Sequence, residues 1–284
     1  MTYDCAIVGA GPAGIAAAVQ LKRSGAGIAL FECREVGGLM RNALLVENYL
    51  GFPAGVDGNK LATLFMEQLE SLSILPFHEE VIAIAEDAES LLIRTANGSH
   101  RCANAIIATG TTPRRACIDG EEQLEGRSLF YEIRDMPEDG RGRAALVVGG
   151  GDIGFDYALH LQKRGYKPLI VARSGPRCAP LLRRRASECG IRCIEKSLPK
   201  AVRQTGGMLE VSLDDELVPT DYILVAAGRK PRLVPISARN RAAVSFAGDV
   251  RNGLKRHIHI ASGDGVRAAI KMLCRISKLS NASN

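Results

Sequence analysis

The chain is predicted to be an α/β protein in which one domain of alternating strands and helices is inserted into another of the same plan. Three observations in its 284 residues predict this class. A glycine-rich turn separates an apolar stretch from a helical one near the N-terminus, and the same arrangement returns at residues 145–165. Two segments, 106–113 and 224–231, each combine an apolar run, a glycine turn and a proline. Such corners suit a chain that leaves one domain and later returns to it.

The first glycine-rich turn carries the complete dinucleotide-binding pattern of a Rossmann-like unit. It follows a short apolar strand and opens a helical stretch. Gly9 allows the tight turn, Gly11 lets backbone N–H groups approach a pyrophosphate, and Gly14 lets the helix pack closely on the strand. The next apolar run ends in Glu32, where an acid accepts hydrogen bonds from a ribose. The pattern therefore predicts a dinucleotide site at the N-terminus of the helix.

Between the two glycine turns, the sequence predicts a loop-rich connection, one helix and a set of strands. Residues 59–72 carry apolar side chains at helical spacing. Asn97-Gly98 predicts a tight hairpin turn between two strands. The predicted strands are 80–85, 90–95, 99–102 and a separate buried strand at 105–108. After the inserted domain, the chain is expected to end in a helix over 265–277.

The second glycine-rich turn repeats the first with one difference. Gly149, Gly151 and Gly154 follow an apolar strand and open a helix. The next strand is followed by Arg173 and Ser174, and no acid stands where Glu32 stood in the first unit. The inserted domain is therefore expected to have its own dinucleotide site, in which a different type of residue would contact the ribose.

In each glycine-turn unit, the residue that follows the second strand indicates which nucleotide is bound, and this residue differs between the two units. An acid such as Glu32 holds a ribose 2′-hydroxyl and repels a 2′-phosphate, whereas an arginine with a hydroxyl neighbour accommodates that phosphate. Arg173 and Arg177 therefore favour NADPH over NADH at the second site, although the third glycine, Gly154, favours NADH. Two dinucleotide sites in one chain predict hydride transfer from a nicotinamide to a flavin.

Composition predicts a globular protein of one large or two medium domains, since the chain is 46% hydrophobic and near average in glycine and proline. No apolar run approaches the ~20 residues that a membrane-spanning helix needs. The first residues enter a strand at once and carry no basic region or cleavage site. No secretory signal is therefore expected, and we predict a cytoplasmic protein.

The eight cysteines are scattered along the chain, and no two of them form a CxxC pair. Scattered cysteines in a cytoplasmic chain of this size are mostly small buried hydrophobic residues. A structural zinc site needs paired ligands that this pattern does not provide, so no metal site is expected.

The formal net charge of +6 is concentrated in arginine-rich stretches such as Arg183-Arg184-Arg185. A solvated basic surface is the ordinary interpretation, and an acidic protein partner or a phosphorylated cofactor are the more specific ones. Nucleic acid is not an expected partner, because aromatic residues make up 5% of the chain and none is interleaved with the basic runs.

Taken together, the motifs resemble the low-molecular-weight thioredoxin reductase family over nearly the whole chain and in the same order. The motifs that carry the resemblance are Gly9-x-Gly11-Pro12-Ala13-Gly14, Glu32, Gly37-Gly38, Val46-Glu47-Asn48, Ala108-Thr109-Gly110, Gly149-Gly150-Gly151-Asp152 and Phe246-Ala247-Gly248-Asp249-Val250. The resemblance implies a homodimer with FAD in a discontinuous domain, residues 1–112 and 232–284. It implies a pyridine nucleotide in the inserted domain, residues 113–231.

The resemblance also implies the residues of both cofactor sites, position by position. Its FAD site consists of Gly9, Gly11, Pro12, Ala13, Gly14, Glu32, Cys33, Gly37, Gly38, Leu39, Arg41, Asn48, Val81, Ala108, Thr109, Gly110, Gly248, Asp249, His257 and Ile258. The backbone of Val81 would meet the adenine, and His257 would lie near the flavin ring. Its pyridine-nucleotide site consists of Gly149, Gly151, Asp152, Ile153, Arg173, Ser174, Arg177 and Gly228.

Four departures from the family pattern change the expected chemistry. The place of the redox CxxC reads Tyr131-Glu132-Ile133-Arg134-Asp135, so both cysteines are missing. The 2′-phosphate signature is degraded, with Ser174 in place of its second arginine and Arg177 displaced by one position. Residues 231–244 form a much shorter segment than in the family. The related cysteine-free ferredoxin–NADP reductases of this fold carry a C-terminal tail over the flavin that this sequence does not match.

We therefore expect an FAD-dependent oxidoreductase that takes hydride from NAD(P)H. It would pass electrons to a ferredoxin- or flavodoxin-like protein, a quinone or oxygen, and not to a disulfide. Tyr131 and Arg134 are expected to face the flavin where the disulfide would be, and His257 is expected to tune or protonate it. The ordinary alternative is a packing or surface role for the first two residues and a helix-start role for the histidine.

Two alternative functions stay open. A disulfide reductase would use relocated cysteines such as Cys189 and Cys193, although their spacing differs from CxxC and neither lies in a cofactor loop. A flavin-bound redox sensor or partner protein without turnover would agree with the degraded nucleotide signature of the inserted domain.

Overall fold

A computed structural model describes residues 2–87, 90–214, 216–238, 241–253 and 255–282, and it separates the chain into two compact units. Unit 1 comprises Met1–Arg41, Val46–Thr112 and Lys230–Asn284, whereas unit 2 comprises Asn42–Leu45 and Pro113–Arg229. Unit 1 is therefore discontinuous in sequence, with nearly all of unit 2 lying between its parts.

The strands and helices are numbered in chain order. The strands are β1 (Thr2–Val8), β2 (Ile28–Phe31), β3 (Val81–Asp87), β4 (Ser90–Thr95), β5 (Gly98–Ile107), β6 (Thr111–Pro113), β7 (Leu129–Phe130), β8 (Ala144–Val148), β9 (Lys167–Ala172), β10 (Arg192–Glu195), β11 (Ala201–Thr205), β12 (Met208–Ser212), β13 (Leu217–Thr220), β14 (Tyr222–Val225), β15 (Arg229–Pro231), β16 (Ile236–Ser237) and β17 (Val244–Phe246). The helices are α1 (Pro12–Arg23), α2 (Gly58–Ser71), α3 (Glu121–Leu124), α4 (Asp152–Lys163), α5 (Pro180–Glu188) and α6 (Ile258–Ala282).

Unit 1 is built on a seven-stranded sheet in the order β16-β3-β4-β5-β1-β2, with β17 also paired to β5. Strand β1 runs parallel to β2 and to β5, and Val8 lies opposite both Phe31 and Ile107. The carboxyl ends of these three strands therefore meet at one edge of the sheet, where the first glycine turn begins. Parallel strands bind ligands at this edge.

The central strand of unit 1 is longer than the sequence predicts. The expected strands 99–102 and 105–108 are one ten-residue strand, β5. The polar residue between them, Asn104, is fully buried and donates its side-chain amide to the carbonyl of Asp4 at 3.0 Å. Because this hydrogen bond gives the side-chain NH₂ group an acceptor, the buried polar residue is accommodated within the strand.

The last helix begins seven residues before the predicted position, at Ile258. The sequence predicts that the helix starts at Gly265, but this glycine lies inside α6. A Cβ atom at Gly265 would lie 2.0 Å from the carbonyl oxygen of Ala13. This glycine therefore lets α6 pack directly against α1, and its conformational cost within the helix is offset by close packing.

Unit 2 has three layers. Its parallel sheet has the order β10-β9-β8-β14-β7, and a second, antiparallel sheet has the order β11-β12-β13. One face of the parallel sheet packs on the small sheet through buried residues such as Leu146 and Val211. The other face packs on α4 and α5 through Val147, Phe155 and Ala186. The α/β class predicted from the sequence is what the two units show.

The unit boundaries differ from the expected ones in two places. The return to unit 1 lies between Arg229 and Lys230, within β15, and not after residue 231. The short stretch Asn42–Leu45, which was expected in the first domain, groups with unit 2. Its hydrogen bonds explain this, because Asn42 donates to Glu132 and the Leu44 N–H donates to Asp156.

Among the helices of the described residues, none has the length and apolar character needed to cross a bilayer. Within the same residues, no group of three or more histidine, cysteine, aspartate or glutamate side chains is arranged to hold a metal ion.

Candidate functional site

The first glycine turn of unit 1 has two positions that exclude any side chain. Gly9 has a φ of +103°, and a Cβ atom there would lie 2.4 Å from the carbonyl oxygen of Ala108. A Cβ atom at Gly14 would lie 1.8 Å from the carbonyl oxygen of Gly9. The turn therefore brings the backbone of α1 against the ends of β1 and β5, as the glycine spacing predicts.

The middle glycine of this turn faces open space. Apart from Gly11 and its chain neighbours, no atom of the described residues lies within 4 Å of the position that a Cβ atom of Gly11 would take. Gly11 is the N-cap of α1, and no side chain caps the N–H groups of the first helical turn. An uncapped helix N-terminus beside an open glycine is a cradle for phosphate oxygens. The geometry at Gly11 thus fits the pyrophosphate of a dinucleotide.

The carboxylate of Glu32 is held beside this cradle. Its Oε2 accepts a hydrogen bond from the backbone N–H of Ala10 at 2.7 Å, and its Oε1 accepts one from that of Arg34 at 2.9 Å. The thiol of Cys33 lies 3.8 Å from Oε1. A carboxylate offers about four lone-pair positions, so Glu32 retains acceptor capacity for the hydroxyls of a ribose.

A second glycine pair lies against the first turn. The N–H of Gly37 donates to the carbonyl of Ala10 at 2.8 Å. A Cβ atom at Gly38 would lie 3.2 Å from the Cα atom of Gly11. Gly248, at the start of the short 3₁₀ turn that contains Asp249, would place a Cβ atom 2.8 Å from that of Ala13. Three expected FAD positions therefore gather around the cradle.

Other expected FAD residues are fixed by local contacts. The 3₁₀ turn Gly38–Asn42 contains Leu39 and Arg41, and the Arg41 guanidinium donates to the carbonyl of Val36 at 2.6 Å. The hydroxyl of Thr109, which follows Ala108 and precedes Gly110, donates to the carbonyl of Arg232. Val81 is buried at the start of β3.

Two histidines, His257 and His259, lie at the start of α6. Only His257 is a site residue expected from the sequence. Nδ1 of His257, the residue before Ile258, lies 3.4 Å from Nδ2 of Asn48. His259 stacks on Tyr49 at 4.4 Å between ring centroids, and its Nε2 accepts the backbone N–H of Leu50 at 2.9 Å. The structure thus places His257 beside Asn48, another of the expected FAD residues. His259 was not predicted, since only the match to the family motif had drawn attention to this helix start.

The glycine turn of unit 2 reproduces the geometry of the first. A Cβ atom at Gly149 would lie 2.4 Å from the carbonyl oxygen of Ala226, and one at Gly154 would lie 2.0 Å from that of Gly149. Gly151 is the N-cap of α4 and has no atom within 4 Å of its Cβ position. Ile153 is partly exposed in the first turn of α4. The open glycine and uncapped helix again fit a pyrophosphate.

The loop after β9 folds onto this second cradle. The N–H of Arg177 donates to the carbonyl of Gly150 at 2.8 Å, and the N–H of Ala179 donates to Oδ1 of Asp152 at 2.7 Å. Arg173 and Arg177 are exposed, and the described residues offer neither guanidinium a hydrogen bond or an ion pair. Ser174 lies between them, and its hydroxyl reaches only the neighbouring carbonyl of Gly175 at 3.4 Å. Two unengaged cations therefore stand at the loop where the sequence predicts a 2′-phosphate.

The two residues expected to replace the redox cysteines have different surroundings. The Tyr131 ring packs on the small sheet's core, and the Arg115 guanidinium lies 5.6 Å from its centroid. Burial raises the pKa of Tyr131 to about 12, so the phenol stays protonated at neutral pH. Arg134 is half-buried in a 3₁₀ turn, Ile133–Asp135. Within unit 2, the Tyr131 ring is therefore packed against the core of that unit.

The residue between them, Glu132, is the centre of a buried network that the sequence did not predict. Its Oε1 lies 2.8 Å from Nη1 of Arg229, and both side chains are less than a tenth exposed. Its Oε2 accepts hydrogen bonds from the side chain of Asn42 and, at 3.3 Å, from the hydroxyl of Tyr157. These four residues, called the Glu132 cluster below, leave the carboxylate fully paired. Gly228, an expected nucleotide residue, directly precedes the cluster's arginine.

Asp156 directly precedes Tyr157 of the Glu132 cluster. We expect its carboxyl group to make the stability of the folded protein depend on pH. Burial raises its pKa to about 6 from an ordinary value of 3.8, partly opposed by the N–H of Leu44 at 3.2 Å from Oδ2. The folded protein therefore binds this proton more tightly than the unfolded chain does. The resulting stabilisation is complete below the ordinary value and is lost as pH rises through about 6.

We expect Asp156→Asn, which keeps the acceptor for Leu44, to remove this loss. Its melting temperature should exceed that of the wild type by a margin that grows between pH 4 and pH 8. Scanning calorimetry across this range measures the margin, with the exposed Asp119→Asn as the control. A margin that does not depend on pH would contradict the assignment.

The cysteines considered for a relocated disulfide are all free thiols in the structure. Cys189 is exposed after α5, whereas Cys193 is half-buried in β10. Burial raises the pKa of the Cys193 thiol. A raised pKa reduces the thiolate fraction, which is the opposite of what a disulfide reductase needs.

Two thioredoxin reductases resemble the chain over most of its length. That of Bacillus subtilis is 27% identical over 293 aligned residues, which cover 94% of this chain and 92% of the relative. The crystal structure of Lactococcus lactis thioredoxin reductase, in its FR conformation, is 26% identical with a TM-score of 0.88, covering 98% of this chain and 100% of that one.

Bacillithiol disulfide reductase Bdr from Staphylococcus aureus shares the fold, with a TM-score of 0.77 at 18% identity and 97% of this chain covered. The pyridine nucleotide-disulphide oxidoreductase family model matches residues 3–265. These matches confirm the predicted pair of Rossmann-type domains, the enzyme class of FAD-dependent NAD(P)H oxidoreductases, and FAD with NADPH as the cofactors of this class. The chain belongs to the pyridine nucleotide-disulphide oxidoreductase family and is thioredoxin reductase-like.

Proposed function

We propose that the chain is a flavoprotein that oxidises NAD(P)H and delivers the electrons to an acceptor other than a disulfide. The observation that carries this proposal is the Glu132 cluster. At the place where a thiol pair would relay electrons, the chain has a carboxylate paired with Arg229 at 2.8 Å. A carboxylate cannot form and break a disulfide as a thiol pair does, so a dithiol relay has no residues to run through at this place.

Unit 1 would hold the FAD. The open N-terminus of α1 at Gly11 would bind the pyrophosphate, and Glu32 would accept the hydroxyls of the adenosine ribose. Gly37, Gly38 and Gly248 would allow the backbone to approach the cofactor closely. When bound, the flavin supplies the capacity to accept a hydride and release its electrons onward.

Unit 2 would hold the nicotinamide nucleotide in the same way. The N-terminus of α4 at Gly151 would bind the pyrophosphate, and the loop from Arg173 to Arg177 would bind the 2′-phosphate of NADPH. A guanidinium without a protein partner is well suited to a phosphate, because it offers a planar set of donors. Arg173 and Arg177 therefore support NADPH as the preferred donor.

His257 would manage a proton in unit 1. Its Nδ1 lies 3.4 Å from Nδ2 of Asn48, within hydrogen-bond reach. A histidine changes its charge near neutral pH and can hold or release that proton. Asn48 would thus orient the ring.

The proposal includes an acidic electron carrier, which is one of the more specific interpretations of the basic stretches, and the homodimer that the family resemblance implies. The basic α5 supports a steering role for such a carrier, although two of its cations are partly neutralised. Arg183 lies 3.3 Å from Glu195, and Arg184 lies 3.7 Å from Glu188. The net attraction of this helix for an acidic surface is therefore smaller than its sequence indicates.

An anaerobic titration of the purified protein tests the proposal. We expect NADPH to bleach the flavin absorption band rapidly and NADH to bleach it more slowly. Arg173→Ala should reduce this preference about ten-fold, because one charge-assisted contact to the 2′-phosphate is lost. Cys189→Ser with Cys193→Ser should leave the bleaching unchanged, which separates the proposal from a relocated disulfide.

Two outcomes would contradict the proposal. If neither nucleotide bleaches a flavin that dithionite still reduces, hydride transfer is absent and a flavin-bound sensor is the better description. If turnover requires Cys189 or Cys193, the acceptor is a disulfide after all.

A further inference from the structure

Arg232 joins three segments of unit 1 that border the proposed FAD site. Its Nη1 lies 3.3 Å from Sγ of Cys33, and its Nη2 lies 2.5 Å from Oε1 of Glu80. Its backbone N–H donates to the carbonyl of Gly110 at 3.0 Å, and its own carbonyl accepts the hydroxyl of Thr109. Neither Arg232 nor Glu80 was among the expected site residues.

The position of the guanidinium relates it to one end of the dinucleotide. Cys33 directly follows Glu32, the proposed partner of the adenosine ribose. Glu80 directly precedes Val81, whose backbone would meet the adenine. The Arg232 side chain therefore spans the gap between the proposed ribose contact and the proposed adenine contact.

The side chain is held in place and is partly accessible. Its backbone is fixed by Thr109 and Gly110, and its charge is paired with Glu80. The Arg232 side chain is 34% exposed, so part of its surface is accessible to a ligand. A planar guanidinium stacks well on an aromatic ring, and adenine is such a ring.

We infer that Arg232 forms one wall of the adenosine subsite in unit 1, with its guanidinium plane stacked on the adenine. Glu80 is the positioning residue that holds this plane, and Cys33 supports its edge. The inference rests on the proposed FAD site and extends it by a residue that the glycine motifs do not contain.

The test measures FAD affinity in the full-length protein after its flavin has been removed. We expect Arg232→Ala to weaken FAD binding about ten-fold. Arg232→Lys should weaken it nearly as much, because the charge remains but the planar group is lost. The matched control is Arg94→Ala, which removes an exposed arginine from β4 of the same unit and should leave FAD affinity unchanged.

Two further readouts separate cofactor binding from a structural role. The melting temperature of the flavin-free protein should be the same in the wild type and in Arg232→Ala. The visible spectrum of the bound flavin should also be unchanged, since Arg232 would contact the adenosine end. Equal FAD affinity in the variant, or a lower melting temperature of its flavin-free form, would overturn the inference. A wild type that binds no FAD would instead overturn the proposed function.

Discussion

Gly11→Asp should abolish FAD binding and leave the fold of unit 1 intact. No atom lies within 4 Å of the Cβ position, and the backbone of Gly11 is extended with a φ of −77°, which any residue adopts. Aspartate is also a favourable N-cap for α1. Its charge would occupy the place of the pyrophosphate. Two like charges ~4 Å apart repel by ~4 kcal/mol at an effective dielectric constant of ~20, which corresponds to a loss of about a thousand-fold in affinity.

The repeated geometry provides the matched control for this variant. Gly151→Asp makes the same change at the N-cap of α4, where the Cβ position is equally open. We expect Gly11→Asp to be purified without flavin and with an unchanged circular dichroism spectrum. Gly151→Asp should be yellow, and its flavin should not be bleached by NADPH although dithionite reduces it. A yellow Gly11→Asp would show that the cofactor is bound elsewhere.

Removing the carboxylate of the Glu132 cluster should strongly destabilise unit 2. Glu132→Ala removes the carboxylate that pairs with the buried Arg229 guanidinium, and it removes the acceptor of the Tyr157 hydroxyl. Breaking one side of a buried ion pair costs ~3–5 kcal/mol. We therefore expect the free energy of unfolding of unit 2 to fall by about this amount.

Denaturation in urea, followed by circular dichroism, measures the effect. Glu138→Ala is the matched control, because it removes an exposed carboxylate that lies 3.4 Å from Arg164 in the same unit. This variant should lose less than ~1 kcal/mol. The double variant Glu132→Gln with Arg229→Gln should be less destabilised than the sum of its single changes, because it removes both charges of the pair together. A Glu132→Ala protein as stable as Glu138→Ala would refute the role of the buried pair.

The parts of the site that could be predicted from the sequence are those built from neighbouring residues. Gly9, Gly11 and Gly14 act through a single turn, so their spacing alone indicates the cradle. Glu32 was predictable because β2 follows α1 at a length that the βαβ unit restricts. The same reasoning applies to the second glycine turn, in which Gly149 and Gly154 make close approaches similar to those of Gly9 and Gly14.

The parts that could not be predicted depend on residues far apart in the chain. Glu132 and Arg229 are 97 residues apart, and nothing in the local pattern around either indicates the other. The expected candidates, Tyr131 and Arg134, lie on either side of the buried Glu132 in the sequence. The family motif therefore indicated this segment, but it did not indicate that Glu132 is buried in an ion pair. Gly265 was interpreted as a helix start, because only the packing of α6 on α1 shows why a glycine lies inside the helix.

The same contact between Gly265 and Ala13 has a consequence for synthesis on the ribosome. Helix α1 is made before unit 2, and α6, which covers it, is made after unit 2. Unit 2, which is nearly continuous between Pro113 and Arg229, is complete while α6 is still missing. Because domains fold as units during synthesis, the second domain in the sequence is the first to fold. The face of α1 therefore stays uncovered until α6 has left the ribosome.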